Sequence, residues 1–266
     1  MSAHEILVTG GTGSLGRRVV ERLCDGGREV RVMSHSGRPG TVKGDLLTGE
    51  GLEQAVKGVD VIVHCATSPT RTRRTDVEGT ERLHRQAEQA GVSHLVFVSI
   101  VGVDLNPHLR YYRMKLEIER NLQLSSVPHT ILRFTQFHEA VLRVTRILDR
   151  LPVMMMPKDF LFQPIDTGEA ADRLVELALS EPAGRVPDAG GPEVWTAAGL
   201  ARAYFEAVGR RRRVGEVPVP GKMARAVRNG AQLCPENRYG KIGYEEFLSR
   251  AVRAMGAEGT MRKELA

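Results

Sequence analysis

Val8-Thr9-Gly10-Gly11-Thr12-Gly13-Ser14-Leu15-Gly16 is the stretch on which the fold turns. Before it stands Glu5–Thr9 (EILVT), a short apolar run of β formers. Behind it stands Ser14–Cys24 (SLGRRVVERLC), whose Leu15, Val19, Val20 and Leu23 recur with a helical period. A glycine-rich turn between a strand and a helix is a far stronger signal than the same glycines alone. Gly10 permits the tight turn, Gly13 lets backbone approach a bound diphosphate, and Gly16 lets the helix pack closely. The residues Thr12, Gly13, Ser14, Leu15 and Gly16 then carry free amides and the positive end of the helix dipole toward phosphate oxygens. An ordinary turn with incidental glycines is the bland alternative; the strand before and the helix after favour dinucleotide binding.

Outward from the turn, strand-like and helix-like segments alternate. Glu29–Met33, Val59–His64, His94–Ser99 and His129–Phe134 read as strands. Gly51–Val56, Thr75–Ala90 and Tyr111–Leu124 read as helices. Strands separated by single helices imply parallel pairing with right-handed crossovers. The fold class expected is therefore α/β, a doubly wound parallel sheet of Rossmann type. The second half is less regular. Thr167–Ser180 reads as a helix capped by Thr167, Trp195–Val208 as one capped by Thr196, and Tyr244–Met255 as another. Val217–Pro220 (VPVP) is excluded from the interior of a central strand, because proline has no amide to donate. The organisation expected is a dinucleotide-binding core over 1–150 and a substrate-covering part, not independently folded, over 151–266.

The end of the second strand reads Met33-Ser34-His35-Ser36-Gly37-Arg38. A site for NAD usually carries a carboxylate there for the ribose 2′-hydroxyl. Here there is none, and Arg38 can fork onto a 2′-phosphate, with Ser34, His35 and Ser36 beside it. The expectation is NADP(H), with NAD(H) as the alternative. Asp45, followed by Leu46, falls where a carboxylate can meet the adenine amino group; equally, it can cap a turn.

Together TGGTGSLG, the GDL segment, HCATSP at the third strand's end, the following VEGT and the later YYRMK resemble the short-chain dehydrogenase/reductase superfamily. The match is to its atypical, NmrA-like branch of NAD(P)-binding proteins. The resemblance runs over roughly residues 4–180. It implies a catalytic Tyr-x-x-x-Lys pair on the helix after the fourth strand, and Tyr111 and Lys115 have that spacing and place. Positions four apart share a helix face, and a neighbouring ammonium favours phenolate. Lys115 would also hold the nicotinamide ribose. Tyr112 competes if the helix starts one residue later. Catalytic relatives carry a further hydroxyl pair after the fourth strand. Ser99 matches its first member, but Ile100 stands where the second is expected. Ala66 and Thr67 should line the crevice outside the strand ends, and Phe134 with Thr135 the nicotinamide rim. His138 reads as a solvated residue at a helix start, with acid–base catalysis as the lesser alternative. Met154–Met156 and Phe160–Phe162 read as core, with the wall of an apolar substrate pocket as the lesser alternative.

Composition sets the remaining bounds. The 266 residues, 41% hydrophobic, can bury roughly three quarters of their unfolded surface without staples. Cys24, Cys65 and Cys234 form no disulfide framework or metal-ligand spacing, so no metal is expected. Apolar runs reach about ten residues, far short of the roughly 20 of a membrane span. The net charge of +6 includes the clusters Arg71–Arg74 and Arg210–Arg213, but no nucleic-acid recognition motif accompanies them. They read as solvated loops, or as a site for a phosphorylated ligand. The expectation is a cytoplasmic protein, monomer or weak homodimer, with a small-molecule substrate and neither nucleic acid nor membrane as partner. Three functions fit: an NADP(H)-dependent oxidoreductase on a small, fairly apolar carbonyl, alcohol or activated double bond; a non-catalytic NADP(H)-binding redox sensor; a sugar-nucleotide epimerase or dehydratase. The first fits best.

Overall fold

Ile6, Leu7 and Val8 are wholly buried, so β1 (Ile6–Thr9) is a strand covered on both faces rather than an amphipathic one. The computed structural model describes residues 5–68 and 72–264; Arg71 of the first basic cluster lies outside them. After β1 come β2 (Val30–Ser34), β3 (Val42–Lys43), β4 (Val61–His64), β5 (His94–Ile100), β6 (His129–Phe134), β7 (Met154–Pro157), β8 (Leu161–Phe162), β9 (Gly184–Arg185), β10 (Trp195–Thr196) and β11 (Val214–Val217). The helices are α1 (Ser14–Asp25), α2 (Leu52–Val56), α3 (Arg73–Gln89), α4 (Arg110–Gln123), α5 (His138–Leu148), α6 (Thr167–Ala178), α7 (Ala197–Ala207), α8 (Lys222–Arg228) and α9 (Tyr244–Glu264). They group into two compact units. One runs to Phe134 and takes in Thr167–Asp188; the other is Thr135–Asp166 with Ala189 onward. The sequence reading has one boundary near residue 150. The chain changes unit after Phe134, Asp166 and Asp188, because α6 and β9 return to the first unit's sheet.

In the first unit seven strands pair in the order β3-β2-β1-β4-β5-β6-β9, every pair parallel. The order reverses between β1 and β4, which makes the ends of those two strands the topological switch point. Leu7, Ile62, Leu95, Phe97 and Ile131 share one face and form a core with Leu52 and Val56 of α2, Val77 and Leu83 of α3, and Met114, Ile118 and Leu122 of α4. Alternation along the strands sends Ile6, Val8, Val63 and Val96 to the other face. There α1 and α6 lie against each other, with an ion pair between Arg22 and Asp172. The doubly wound parallel architecture is the one the alternating pattern implies.

The second unit contains two small sheets, β8 with β10 antiparallel and β7 with β11 parallel. Met154 and Met156 point into its core with Phe160, Tyr204, Phe205, Tyr244 and Phe247, while Met155 alternates outward. The Met and Phe runs are thus packing residues. β11 ends at Val217, ahead of Pro218, and has one partner only. Thr196 caps α7 by accepting the Gly199 amide at 3.0 Å. That helix starts later than expected because Trp195 and Thr196 pair with Phe162 and Leu161. The second basic cluster is not simply solvated: Arg210 and Arg212 both grip Asp149.

A buried ion pair fastens β6 to α4. Arg133 donates from Nε and Nη2 to the two oxygens of Glu119, at 2.9 and 2.6 Å, and from Nη1 to Asp104 at 2.9 Å. Burial opposes the charge on Arg133, but the Glu119 and Asp104 hydrogen bonds outweigh it and push its pKa up. The bidentate fork leaves neither side chain unpaired, and removing one partner strands the other. Arg133→Met should cost roughly 3–5 kcal/mol in urea denaturation, and adding Glu119→Leu should recover most of it. A double variant no more stable than the single one would contradict this account.

Candidate functional site

Two glycines make the first turn possible. Gly10 has φ +66°, and a Cβ there would lie 2.7 Å from the Ala66 backbone, so the turn sits hard against the end of β4. A Cβ on Gly16 would run into the Gly10 carbonyl, so the first turn of α1 packs on the loop itself. The Gly13 amide donates to the Gly10 carbonyl at 2.9 Å. Gly13 is the N-cap of α1 and supplies no capping side chain, and the first turn has no acidic residue. Thr12, Gly13 and Ser14 are exposed; Leu15 and Gly16 are buried. Uncapped amides behind a bare glycine, at the switch point of the sheet, fit a diphosphate.

Beyond β2, Ser34 and Ser36 share a hydroxyl–hydroxyl hydrogen bond of 3.0 Å. His35, Ser36 and Arg38 are exposed, and the Arg38 guanidinium makes no ion pair among the described residues. No carboxylate occurs from Val30 to Gly44. This end of the site fits a 2′-phosphate. Asp45 uses Oδ1 to accept the Leu47 amide at 2.7 Å, which is the turn-forming reading of that residue. Leu46 is buried, its carbonyl accepting from Arg82 at 3.2 Å.

At the ends of β4 and β5 the structure brings together residues far apart in sequence. Thr67 donates to Oδ2 of buried Asp76 at 3.0 Å, and the Ser68 amide donates to Oδ1 at 2.8 Å. With its own proton so placed, the Thr67 oxygen accepts from the Tyr111 hydroxyl at 3.2 Å. It is Tyr111, not the buried Tyr112, that reaches the strand ends. One turn along α4, buried Lys115 donates to the Val98 carbonyl at 3.0 Å, its ammonium 4.6 Å from the centre of the Phe97 ring. An ammonium has three protons to give, and that carbonyl takes one. The rest are free for ligand hydroxyls.

Ser99 is not where the resemblance places it. It shares the face of Leu95 and Phe97, is buried, and its hydroxyl has no hydrogen-bond partner among the described residues. Thr67 serves Tyr111 in its stead. Sequence reading placed Thr67 at the crevice but missed Asp76 altogether. Phe134 is fully buried at the end of β6, and Thr135 donates to the Gln163 carbonyl at 2.5 Å. His138 is wholly buried rather than solvated: Nε2 donates to the Pro164 carbonyl at 3.1 Å, and the ring lies against Tyr244 and Phe247. Cys65 is half-buried, and desolvation pushes its thiol up to about 12, against the pull of Lys115, which leaves it inert at neutral pH.

This geometry defines the class: a Rossmann-type, NAD(P)-binding protein of the atypical short-chain dehydrogenase/reductase kind. A profile described as NAD(P)H-binding matches residues 10–149, more than half of the chain, and the chain belongs to that family. It is 26% identical over 230 residues to the photosystem II assembly factor Ycf39 of Trieres chinensis, covering 80% of this chain and 72% of that one. It is 34% identical over 138 residues to the (4-alkanoyl-5-oxo-2,5-dihydrofuran-3-yl)methyl phosphate reductase of Streptomyces griseus, covering 48% and 46%. Its fold is similar to that of the NADPH-dependent quinone oxidoreductase QOR2 of Escherichia coli, crystallised with NADPH. The TM-score is 0.78 at 18% identity, over 93% of this chain and 99% of that one. Among the described residues no helix is long and apolar enough to cross a membrane.

His64 sits beneath this site, its Nδ1 2.6 Å from the Thr9 hydroxyl and Nε2 3.0 Å from that of Thr80. Thr80 gives its proton to the Asp76 carbonyl, so Nε2 of His64 carries the proton and Nδ1 accepts from Thr9. Burial, then the charges of Lys115 and His84, hold His64 well below its ordinary pKa. Burial, with a smaller push from His129, brings His84 down to about 4. Unfolded imidazole titrates near 6.5, so below that pH the unfolded chain binds more protons and stability falls. From His84 alone the loss at pH 5 should be about 2 kcal/mol relative to pH 7. His84→Leu should flatten the acid limb of denaturant-midpoint against pH; an unchanged slope would assign the limb elsewhere.

Proposed function

We propose that this chain is an NADP(H)-dependent oxidoreductase acting on a small, fairly apolar carbonyl, alcohol or activated double bond. The observation that carries the reading is the phenol of Tyr111, fixed at the sheet's switch point by Thr67 and Asp76, one turn from the partly unsatisfied ammonium of Lys115. When bound, NADP(H) supplies or accepts hydride at the nicotinamide. Tyr111 gives its hydroxyl proton to the substrate oxygen in reduction and takes it back in oxidation. Thr67 holds the phenol from one side, and Asp76 holds Thr67. Lys115 offers its remaining N–H groups to ribose hydroxyls. The amides heading α1 take the diphosphate, and Arg38 with Ser34, His35 and Ser36 takes the 2′-phosphate. Cofactor work falls on the first unit.

A second reading has one observation behind it. Ser99 is sequestered and Ile100 follows it, so the hydroxyl pair that steers a substrate carbonyl in catalytic relatives is missing. The Ycf39 relatives are named for assembly rather than for a reaction. A dinucleotide-responsive regulator fits these points. It requires different affinities for NADP and NADPH, since equal binding shifts nothing.

In a carbonyl-substrate screen followed by NADPH absorbance, Tyr111→Phe should lower turnover tenfold or more, about 1.4 kcal/mol in barrier, with NADPH affinity unchanged. Turnover unaffected by the change would remove Tyr111 from the chemistry. No turnover at all, with calorimetry showing tighter binding of one redox form, would favour the regulator. In the same calorimetry Arg38→Ala should weaken NADPH about tenfold and leave NADH alone. Equal weakening of both would refute the 2′-phosphate role.

A further inference from the structure

Within the second unit, α5 presents a face left exposed among the described residues. His138, Thr145 and, in part, Val141, Leu142 and Leu148 turn inward. Val144 and Ile147 turn outward on α5, and Leu151, Val153 and Met155 are exposed along the segment that leads from it into β7. These five side chains are between 45 and 63% exposed. In the register of β7 with β11, Met155 lies opposite Gly215 and Pro157 opposite Val217. Partners in register share a face, so exposed Val217 lies on the Met155 side of this two-stranded sheet. Contiguous exposed apolar surface of this kind marks an interaction site.

Charge decides among occupants. Within α5, at 100° per residue, Ile147 falls between Arg143 and Val144, with Arg146 on the far side of Arg143, and Arg150 follows just past the end of the helix. All three arginines are exposed, and none makes an ion pair among the described residues. Of the two carboxylates on the segment, Asp149 is held by Arg210 and Arg212. Glu139 is in the opposite end's first turn. A second copy of this face would bring arginine against arginine. An apolar strip bordered by uncompensated guanidinium groups matches the boundary between acyl chains and anionic headgroups.

We infer that α5 and the β7–β11 face form an interfacial docking surface for an anionic lipid bilayer, on which the chain lies without spanning it. The inference is independent of the oxidoreductase reading.

Vesicle flotation tests it, using phosphatidylcholine alone and phosphatidylcholine with about 30% phosphatidylglycerol. The chain should float with the anionic vesicles at low salt, release as ionic strength rises, and stay in solution with neutral ones. Arg143→Gln/Arg146→Gln/Arg150→Gln should reduce the bound fraction constant tenfold or more, and Val144→Ser/Ile147→Ser should do so with the arginines intact. These side chains are exposed, so the melting curves of both variants should match the parent. No flotation, or flotation indifferent to both variants, overturns the inference. A concentration-dependent dimer in sedimentation velocity that Val144→Ser/Ile147→Ser abolishes would assign the face to a second copy and overturn it too.

Discussion

The contact between the Gly10 carbonyl and the backbone of Gly16 is the constraint from which the rest of the first unit follows. It lets α1 begin almost on top of the strand that feeds it. That places a helix N-terminus, with no side chain capping it, over the end of β1. The same turn leans on Ala66, so the ends of β1 and β4 are brought together with no side chain between them. Strand order reverses there, and helices cannot cover the gap because they leave in opposite directions. A crevice and a set of unpaired amides are thus one structural consequence, not two features.

Polar groups beneath that crevice are arranged by a rule of satisfaction. Buried hydroxyls and imidazoles are costly unless paired. His64 meets Thr9 on one nitrogen and Thr80 on the other, and Asp76 takes both the Thr67 hydroxyl and the Ser68 amide. The two systems meet at Asp76, whose main-chain carbonyl accepts from Thr80 while its carboxylate accepts from Thr67. The Tyr111 phenol is therefore met by an exposed Thr67 hydroxyl whose own proton is held by the buried Asp76 carboxylate. Preorganisation of this sort is what a proton-transferring group requires, because a hydroxyl that must first be turned and desolvated adds to the barrier.

What was legible in the sequence was local. The strand–glycine–helix unit and the period-two and period-3.6 runs gave the sheet and its helices, because each signal lies within a dozen residues. β3, β8 and α8 are too short to show a period, and tertiary pairing alone defines them. His138 was misread because the rings that bury it, Tyr244 and Phe247, come from α9 at the far end of the chain. The Tyr111–Thr67–Asp76 chain was illegible for the same reason: α3 and α4 must pack on one sheet face before it exists. Ser99 is different. Its parity with Leu95 and Phe97 along β5 puts it on the face packed by α4, but only the structure shows that its hydroxyl is buried without a hydrogen-bond partner among the described residues.

Lys115 shows most directly why the site needs something the protein does not itself contain. A buried ammonium is expensive, and proteins normally meet the cost with a carboxylate. The Asp76 carboxylate is engaged by Thr67 and Ser68. Lys115 has instead a single carbonyl and the face of Phe97. That arrangement supports the ammonium without a carboxylate, and its charge adds to the burial that holds the His64 imidazole neutral and only partly offsets the burial that raises the Cys65 thiol. A folded chain with only its own stability to serve would gain by pairing this charge. Held by one carbonyl and set one helical turn from the Tyr111 phenol, the ammonium keeps N–H groups that, in the oxidoreductase reading proposed above, go to hydroxyl groups of the ligand.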